Sequence, residues 1–418
     1  MVKAIYVAAA CAIATVLSLH LFAEGVPWAL RAPPTDIVVD WGGARVLLDG
    51  GNPYAAADVE RAGVAEEMRR MRLGADRGLA HPPTAFVWFL PLASYSLVDA
   101  RFIWLELTIL LTCILCVVLA RDLAPEAPLP TAALLFGAVA SCSWYAMHLA
   151  VGQVSVPIAL LVALAWMYLR RGADVPAGVM LGLACTFKTF PAALMLYLLF
   201  VGRLRAVIAS AAAWLAVAIP TTFVVGLAAW PSFLVETGRY TDQWIGHVRN
   251  ASLLGILQRL RHPACADPGP LWAPALAGAW LLSIAGIWLA ARRHRRGDQT
   301  LGFAAATAWC VLTGPYAWEH YQIVLALPFA AAVALAVRAQ LPFLRRAAAA
   351  AVVAATAILS HVDWTAASRA VLEYRRDGTG HFFVHYYEVA NWLPAVLLYA
   401  ALLALRPAAP SAGSGTTA

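Results

Sequence analysis

The chain contains 418 residues, of which 62% are hydrophobic and 13% charged, and its formal net charge is +7. A soluble domain is about 45–50% apolar and about 25% charged, so this composition excludes a soluble enzyme and a disordered chain. The apolar runs are continuous rather than alternating, which is not the pattern of a transmembrane β-barrel. Basic residues lie between these runs and form no single soluble face, so we expect no nucleic-acid partner. The composition therefore predicts an all-α membrane protein.

Twelve apolar runs follow one another along the chain as candidates for membrane-spanning helices. Two of them, 175–187 and 189–201, have about 13 residues each, or roughly 20 Å of helix against a bilayer core near 30 Å. We therefore predict a short hairpin whose tip lies below the membrane surface, a feature that often marks a binding site. The other runs are 4–23, 102–120, 131–148, 154–169, 206–227, 273–291, 299–315, 321–337, 347–361 and 392–405.

Two further segments complicate the count of spans. Segment 84–98 is apolar but has about 15 residues, short of the roughly 20 that a spanning helix needs. Counting it as a span would reverse every later loop, so we expect a helix in the membrane interface. The N-terminal run has an alternative interpretation as a cleaved signal peptide, because Lys3 precedes an apolar stretch that ends in the sequence LFA before Glu24.

Arginine and lysine are concentrated in alternate short loops, and short loops of this kind stay in the cytoplasm. Twelve crossings with both termini inside satisfy this pattern, which predicts a multi-pass protein of the inner or plasma membrane. Residues 1–405 then form a single membrane domain, and 406–418 a disordered cytoplasmic tail. The outer, periplasmic side carries a long first loop, 24–101, with surface helices, one of them within 58–77.

The polar residues that this topology brings together on the outer side define a candidate site. Asp36 follows the first span and a Pro-Pro pair, and a carboxylate at a membrane boundary suits a general base for an incoming hydroxyl. Its alternative role is to cap a short helix before the turn at 50–53. Asp40, one helical turn later, has the same two interpretations. Gln153, at a predicted hairpin tip, suits sugar hydroxyls, or else it simply ends a helix.

Two later motifs supply candidate cationic groups. Lys188, flanked by Phe187 and Phe190, is the only lysine after Lys3, and a lone ammonium in apolar sequence calls for an anionic partner such as a phosphate. Snorkelling to the interface is the alternative. The pair at 319–320 lies at the mouth of a span, where histidine can hold a phosphate and where an aromatic belt is the other interpretation. The seven cysteines indicate no disulfide framework, and we predict no metal site.

Six segments, taken in order, resemble the motifs of one known family. The segment DIVVDWGGARVLLDGGNPY, residues 36–54, resembles the signature D-x-x-V-Y-x-x-A-x-x-L-L-x-G-x-x-P-Y. AHPPTAFVWFLPL, GQVSVPIALL, FKTFPAALM, RNASLLGIL and GPYAWEHYQIVLALP resemble its later motifs. Over roughly residues 1–405 the chain resembles glycosyltransferase family 87, the polyprenol-phosphate-mannose-dependent mannosyltransferase-like group with the GT-C fold.

This resemblance implies a membrane enzyme that moves a hexose, mannose in the family, from a polyprenyl-phosphate donor to a glycolipid or glycan acceptor, inverting the anomeric carbon. It implies Asp36 as the catalytic base and His320 near the donor phosphate. The sequence departs from the family pattern twice, with Asp40 and His81 at positions usually held by tyrosine. The full set of predicted site residues is Asp36 as base, Lys188, His320 and Arg249 for the phosphate, and Asp40, Tyr54, Gln153, Asn250 and Glu319 for sugar or acceptor.

The positive charge of Lys188, His320 and Arg249 makes a metal or other cofactor unnecessary for the predicted transfer. A transporter or flippase of a lipid-linked sugar remains the principal alternative, because it would share the helices and the basic residues. It would not need an acid poised in the first outer loop. A third possibility is a non-catalytic protein of wall-polymer assembly.

Overall fold

The computed structural model describes residues 2–71, 73, 79–245, 247, 250–261, 273–294, 298–337, 343–360 and 381–404, and every regular element within these ranges is helical. The fold is therefore all-α, as the composition predicts. The α-helices in chain order are α1 Val2–His20, α2 Val26–Arg31, α3 Ile37–Leu48, α4 Ala56–Arg61, α5 Val64–Arg70, α6 Pro83–Val87, α7 Leu90–Ala93, α8 Leu97–Leu123, α9 Pro128–Ala140, α10 Ser143–Val151, α11 Ser155–Arg170, α12 Asp174–Phe187, α13 Ala192–Phe200, α14 Leu204–Val225, α15 Ala229–Trp244, α16 Leu253–Arg261, α17 Ala273–His294, α18 Gln299–Cys310, α19 Ala326–Val337, α20 Phe343–Ser360 and α21 His381–Ala404.

Among the described residues, four segments are long and apolar enough to cross a membrane. The bent pair α9 and α10, whose axes differ by 76°, makes a fifth if it is one span. Further apolar helices, among them α11 and α12, are shorter. The chain is thus a multi-pass membrane protein, and twelve crossings remain a prediction. The four segments are Val7–Arg31, Leu97–Leu123, Leu204–Val225 and Ala273–His294.

The predicted short hairpin is present as α12 and α13, with Lys188 in the turn between them. Its first helix packs closely on α14, because Gly178 and Gly182 bring the two backbones together. A Cβ placed on Gly178 would overlap the carbonyl oxygen of Ala206, and one on Gly182 that of Ser210. Small residues four apart are the usual means of such close helix approach within membranes.

Residues 24–101, predicted as the first outer loop, contain α2 to α7 rather than irregular chain. Segment 84–98, predicted as one interfacial helix, forms the two short helices α6 and α7 and then begins α8. Pro91 lies in the first turn of α7, where its missing N–H and fixed φ favour a new helix start over continuation of α6. The neighbouring α3 is buried along most of its length, so this loop is packed into the fold.

At one end of the helix bundle, ion pairs and a hydrogen bond between side chains connect neighbouring helices. Arg170 Nε lies 3.0 Å from Asp122 Oδ2, and an Arg203 guanidinium nitrogen lies 2.7 Å from Asp174 Oδ1. Arg203 Nε also donates to Gln299 Oε1 over 2.9 Å. These five residues form the tie layer. Because α11 ends and α12 begins at this layer, the opposite ends of both helices face the candidate site.

Candidate active site

Asp36 is fixed between α2 and α3 by the backbone around it. Ala32 is extended, the conformation that the following proline requires, so α2 ends and the chain turns. The Asp36 N–H then donates to the carbonyl of Val151 over 2.9 Å, which joins it to the end of α10. Gly152 ends α10 with a φ of +73°, and a Cβ there would lie 2.6 Å from Ile37 Cβ. Glycine is therefore needed for both conformation and space.

The Asp36 carboxylate accepts hydrogen bonds from two side chains. Gln153 Nε2 donates to Asp36 Oδ2, and Thr35 Oγ1 donates to Oδ1 over 3.3 Å. Gln153 is oriented by its own Oε1, which accepts from the Val154 N–H over 2.9 Å. Its Nε2 also lies 3.2 Å from His320 Nε2, which in turn is 3.6 Å from Asp36 Oδ2. An amide nitrogen has only protons to offer, so His320 Nε2 is the acceptor of this contact.

Burial changes the proton affinity of the two charged residues of this region. Desolvation raises the pKa of Asp36 above the ordinary aspartate value of 3.8, against the opposing charge of Lys188 and with a further upward contribution from Asp40. Burial lowers the pKa of Lys188 to about 8, against the opposing charges of Asp36 and Asp40. Asp36 is therefore a stronger base than an exposed aspartate.

Lys188 points into the fold rather than out to the interface. It is 8% exposed, its Nζ donates to Tyr321 Oη over 2.7 Å, and the same Nζ lies 4.1 Å from the centre of the Tyr321 ring. The turn that carries it is braced by α6, since Thr84 Oγ1 donates to the Thr186 carbonyl over 2.8 Å and Trp88 stacks on Phe187. A buried ammonium that is hydrogen-bonded to a neutral tyrosine hydroxyl is suited to bind an anion.

Two cavities meet at these side chains. The acid chamber has a volume of about 370 Å³ and is lined by Asp36 and His320. The lysine pocket, of about 60 Å³, is lined by Lys188. Four residues line both cavities and form the junction between them, namely Ala80, His81, Tyr316 and Tyr321.

Aromatic rings form one wall of the acid chamber. Trp318 lies edge-on to Trp244 at 5.8 Å and to His247 at 5.3 Å, and it stacks on His320 at 6.4 Å, all between ring centres. We call these four residues the aromatic wall. Sequence reasoning missed Trp244 and His247, because an aromatic residue near a membrane boundary is typical of an interfacial belt.

The structure distributes the predicted site residues unevenly. It brings Asp36, Gln153 and His320 into direct contact, with Lys188 in the adjoining pocket. Asp40 is fully buried, with Oδ1 at 2.6 Å from Nδ1 of His81, which is a further residue that sequence reasoning did not place in the site.

The remaining predicted contacts are placed as follows. Tyr54 is buried and its hydroxyl donates to the His81 carbonyl over 2.7 Å. Asn250 is fully buried and joins two loops, its Nδ2 donating to the carbonyls of Ile245 and Pro315 and its Oδ1 accepting from the Ala317 N–H. These partners are backbone groups, so Asn250 positions the loop before the aromatic wall.

Two other predicted residues complete the set. Glu319 is buried in the 3-10 segment Glu319–Leu325 beside the acid chamber. Arg249, predicted to contact the phosphate, lies outside the described residues, as does the tail 406–418. Within the described ranges no group of three or more His, Cys, Asp or Glu side chains is arranged to hold a metal ion.

Comparison with known proteins gives two matches. The model of glycosyltransferase family 87 matches residues 80–328, which contain Gln153, Lys188 and His320, while Asp36 lies before them. A polyprenol-phosphate-mannose-dependent alpha-(1-2)-phosphatidylinositol mannoside mannosyltransferase of Mycobacterium tuberculosis is 28% identical over 304 residues, which cover 69% of this chain and 67% of the relative. No solved structure matches the chain.

Proposed function

Because this chain belongs to glycosyltransferase family 87, we propose that it transfers a hexose, in the first instance mannose, from a polyprenyl-phosphate donor to a hydroxyl of a glycolipid or glycan acceptor. Family membership and the apolar helices together make it a membrane glycosyltransferase. The proposed donor and reaction are supported by one observation: a carboxylate and a buried ammonium line two cavities that adjoin each other. Asp36 faces the acid chamber, and Lys188 faces the lysine pocket that adjoins it.

The proposed reaction is a single displacement. The acceptor hydroxyl gives its proton to the Asp36 carboxylate, and its oxygen forms a bond to the anomeric carbon of the donor sugar. The bond from that carbon to the phosphate oxygen breaks at the same time, and the phosphate leaves with the electron pair. Lys188 Nζ balances the negative charge that develops on the phosphate. Attack from the side opposite the leaving group inverts the anomeric carbon.

The lipid part of the donor has an apolar route from the lysine pocket. A groove of about 530 Å³ lies between α13, α16 and α17 and shares Thr189, Phe190 and Gly314 with that pocket. Its outer rim includes Trp280, which is 64% exposed on the outward face of α17. A polyprenyl chain in this groove would place its phosphate beside Lys188 and its tail in the bilayer.

The acceptor would enter the acid chamber against the aromatic wall. Flat aromatic faces present apolar surface to the C–H faces of a sugar. In this arrangement His320 acts beside Asp36 and Gln153 rather than at the phosphate. Its proposed role is to hold Gln153 and the base in one orientation, since it lines the acid chamber.

The proposed topology follows the charge of the loops. Twelve crossings of a single domain, residues 1–405, would leave both termini and the tail 406–418 in the cytoplasm and the acid chamber on the periplasmic face. The tie layer is consistent with this orientation, because its two arginines lie at the end of the bundle remote from Asp36. The proposed transfer requires no metal.

The test is Asp36→Asn in purified, reconstituted protein supplied with radiolabelled polyprenyl-phosphate mannose and a glycolipid acceptor. A general base contributes about 10²–10⁴-fold, so transfer should fall by that factor while donor binding survives. Asp99→Asn is the matched control, because Asp99 is exposed at the start of α8. Transfer by Asp36→Asn at the wild-type rate would contradict the proposal, and translocation of the lipid without transfer would instead support a transporter.

A further inference from the structure

Asp40 and His81 form a contact that the proposed reaction does not yet use. Asp40 Oδ1 lies 2.6 Å from His81 Nδ1, with Asp40 fully buried and the His81 side chain 19% exposed. A carboxylate oxygen accepts at this distance, so Nδ1 carries the proton and Nε2 is the nitrogen left for a ligand. The hydrogen bond to Asp40 therefore fixes which edge of the imidazole ring, the one that carries Nε2, is left for a ligand.

His81 stands where the transferred sugar must pass. The proposed reaction places the phosphate in the lysine pocket and the acceptor oxygen in the acid chamber, and the sugar that links them must occupy the junction. His81 lines both cavities there, together with Tyr316 and Tyr321. A hexose held at the junction therefore presents its ring hydroxyls to the imidazole.

Holding the loop at His81 in place does not account for the contact between Asp40 and His81. The chain at His81 is already anchored through its backbone, because its carbonyl accepts from Tyr54 Oη over 2.7 Å and the neighbouring Ala80 carbonyl accepts from Thr237. The hydrogen bond between Asp40 and His81 is not needed to hold that loop to α3. Asp40 Oδ2 is buried and makes no hydrogen bond within the described residues. The side-chain hydrogen bond of this carboxylate there is the one between Oδ1 and His81.

We propose that His81 Nε2 accepts a hydrogen bond from one hydroxyl of the transferred hexose, with Asp40 as the positioning residue that fixes the tautomer required. This inference rests on the proposed function, since it assumes a polyprenyl-phosphate hexose as the ligand. Asp40 and His81 are joined by this hydrogen bond, so we expect them to act as one unit that sets donor-sugar specificity.

The experiment measures equilibrium binding of polyprenyl-phosphate mannose and its monodeoxy analogues, each lacking one hydroxyl, to the full chain in nanodiscs without acceptor. Wild type should bind one analogue about tenfold more weakly than the parent, because the imidazole acceptor is left unpaired. His81→Phe should bind the parent about tenfold more weakly and should no longer distinguish that analogue. Asp40→Asn should lose part of the discrimination, while His20→Phe, an exposed site on α1, should keep all of it.

The outcomes separate this inference from the proposed function. Discrimination that is unchanged in His81→Phe, or equal binding of all analogues by wild type, overturns the role of His81. If His81→Phe does not fold, His81→Ala, which also lacks a hydrogen-bonding side chain, and the wild-type panel decide the matter by the same criterion. Absence of binding to every donor overturns both proposals. Discrimination through His81 without transfer to an added acceptor overturns the transferase alone.

Discussion

The basicity of Asp36 gives the activity a predictable acid limb. Burial raises its pKa above 3.8, and only the ionised carboxylate can take a proton, so the rate should fall as the pH is lowered through that raised pKa. Gln153→Glu replaces a hydrogen-bond donor by a second negative charge, and both changes favour protonated Asp36. We therefore expect the acid limb of kcat/KM to move to higher pH.

Gln299→Glu is the control for that shift, because Gln299 lies in the tie layer beside Arg203. The same change of charge at the far end of the bundle should leave the acid limb in place. If the acid limb moves equally in both variants, or in neither, Asp36 is not the group whose ionisation controls the rate.

Lys188 should set the alkaline limb of donor binding. In the proposed reaction its ammonium holds the phosphate. Burial lowers the pKa of Lys188 to about 8, so donor affinity should weaken as the pH rises through 8. Lys188→Met should raise the donor KM by about 10- to 150-fold at neutral pH, the equivalent of roughly 1.5–3 kcal/mol for a charged hydrogen bond, and should abolish the limb. Arg61→Met, at an exposed loop cation, is the control. An unchanged KM in Lys188→Met would contradict the contact.

Some site residues are visible in the sequence because their environment is unusual there. A lone lysine in apolar sequence and a carboxylate just after a span both stand out, which is how Lys188 and Asp36 were predicted. His81 stands out only as a departure from the family pattern. Its contact with Asp40, 41 positions away, could not be predicted, because only the folded chain brings the two residues together. The aromatic wall was missed for a different reason, because its members are ordinary interfacial residue types.

At the scale of the helices, the close packing of α12 on α14 positions Lys188. Gly182→Ala would push a Cβ into the Ser210 carbonyl, and overpacking of this kind costs about 1–3 kcal/mol. We expect a lower unfolding temperature together with a higher donor KM, because α12 ends at Lys188. Gly238→Ala in α15 is the control, since a Cβ there meets nothing within 4 Å and should leave stability equal or slightly higher. Equal stability of both variants would show that α12 is not held by this contact.

Helix boundaries were less predictable than helix existence. The hairpin at 175–201 was predicted because two short apolar runs lie between arginine-bearing loops. The run 131–148 was predicted as one span, but it bends by 76° between α9 and α10. Cys142 is extended at the bend and Ser141 Oγ returns to the Ala138 carbonyl over 3.0 Å. Hydropathy does not register such a local change, since every residue involved remains compatible with an apolar helix.

At the scale of the whole molecule, the orientation in the membrane is open to direct test. Reporter fusions after Arg171 and Arg346 should report the cytoplasm, and fusions after Asp58 and Gly378 the outer side, because short arginine-rich loops stay inside. In this topology Asp58 and Gly378 are on the same side of the membrane as Asp36. A fusion after Arg346 that reports the outer side would mean that an odd number of the predicted crossings before it is wrong.

The location of the aromatic wall has an evolutionary consequence. Trp244 ends α15, a helix in which only Ala229 and Glu236 are buried, whereas Asp36 and Gln153 are joined through the ends of α10 and α11. Substitutions along α15 can therefore accumulate with little loss of folding stability. Substitutions at Asp36 and Gln153 would disturb the packing of α10 and α11. If the aromatic wall contacts the acceptor as proposed, a lineage carrying this architecture would be free to exchange one acceptor for another while its proposed base and donor pocket stay unchanged.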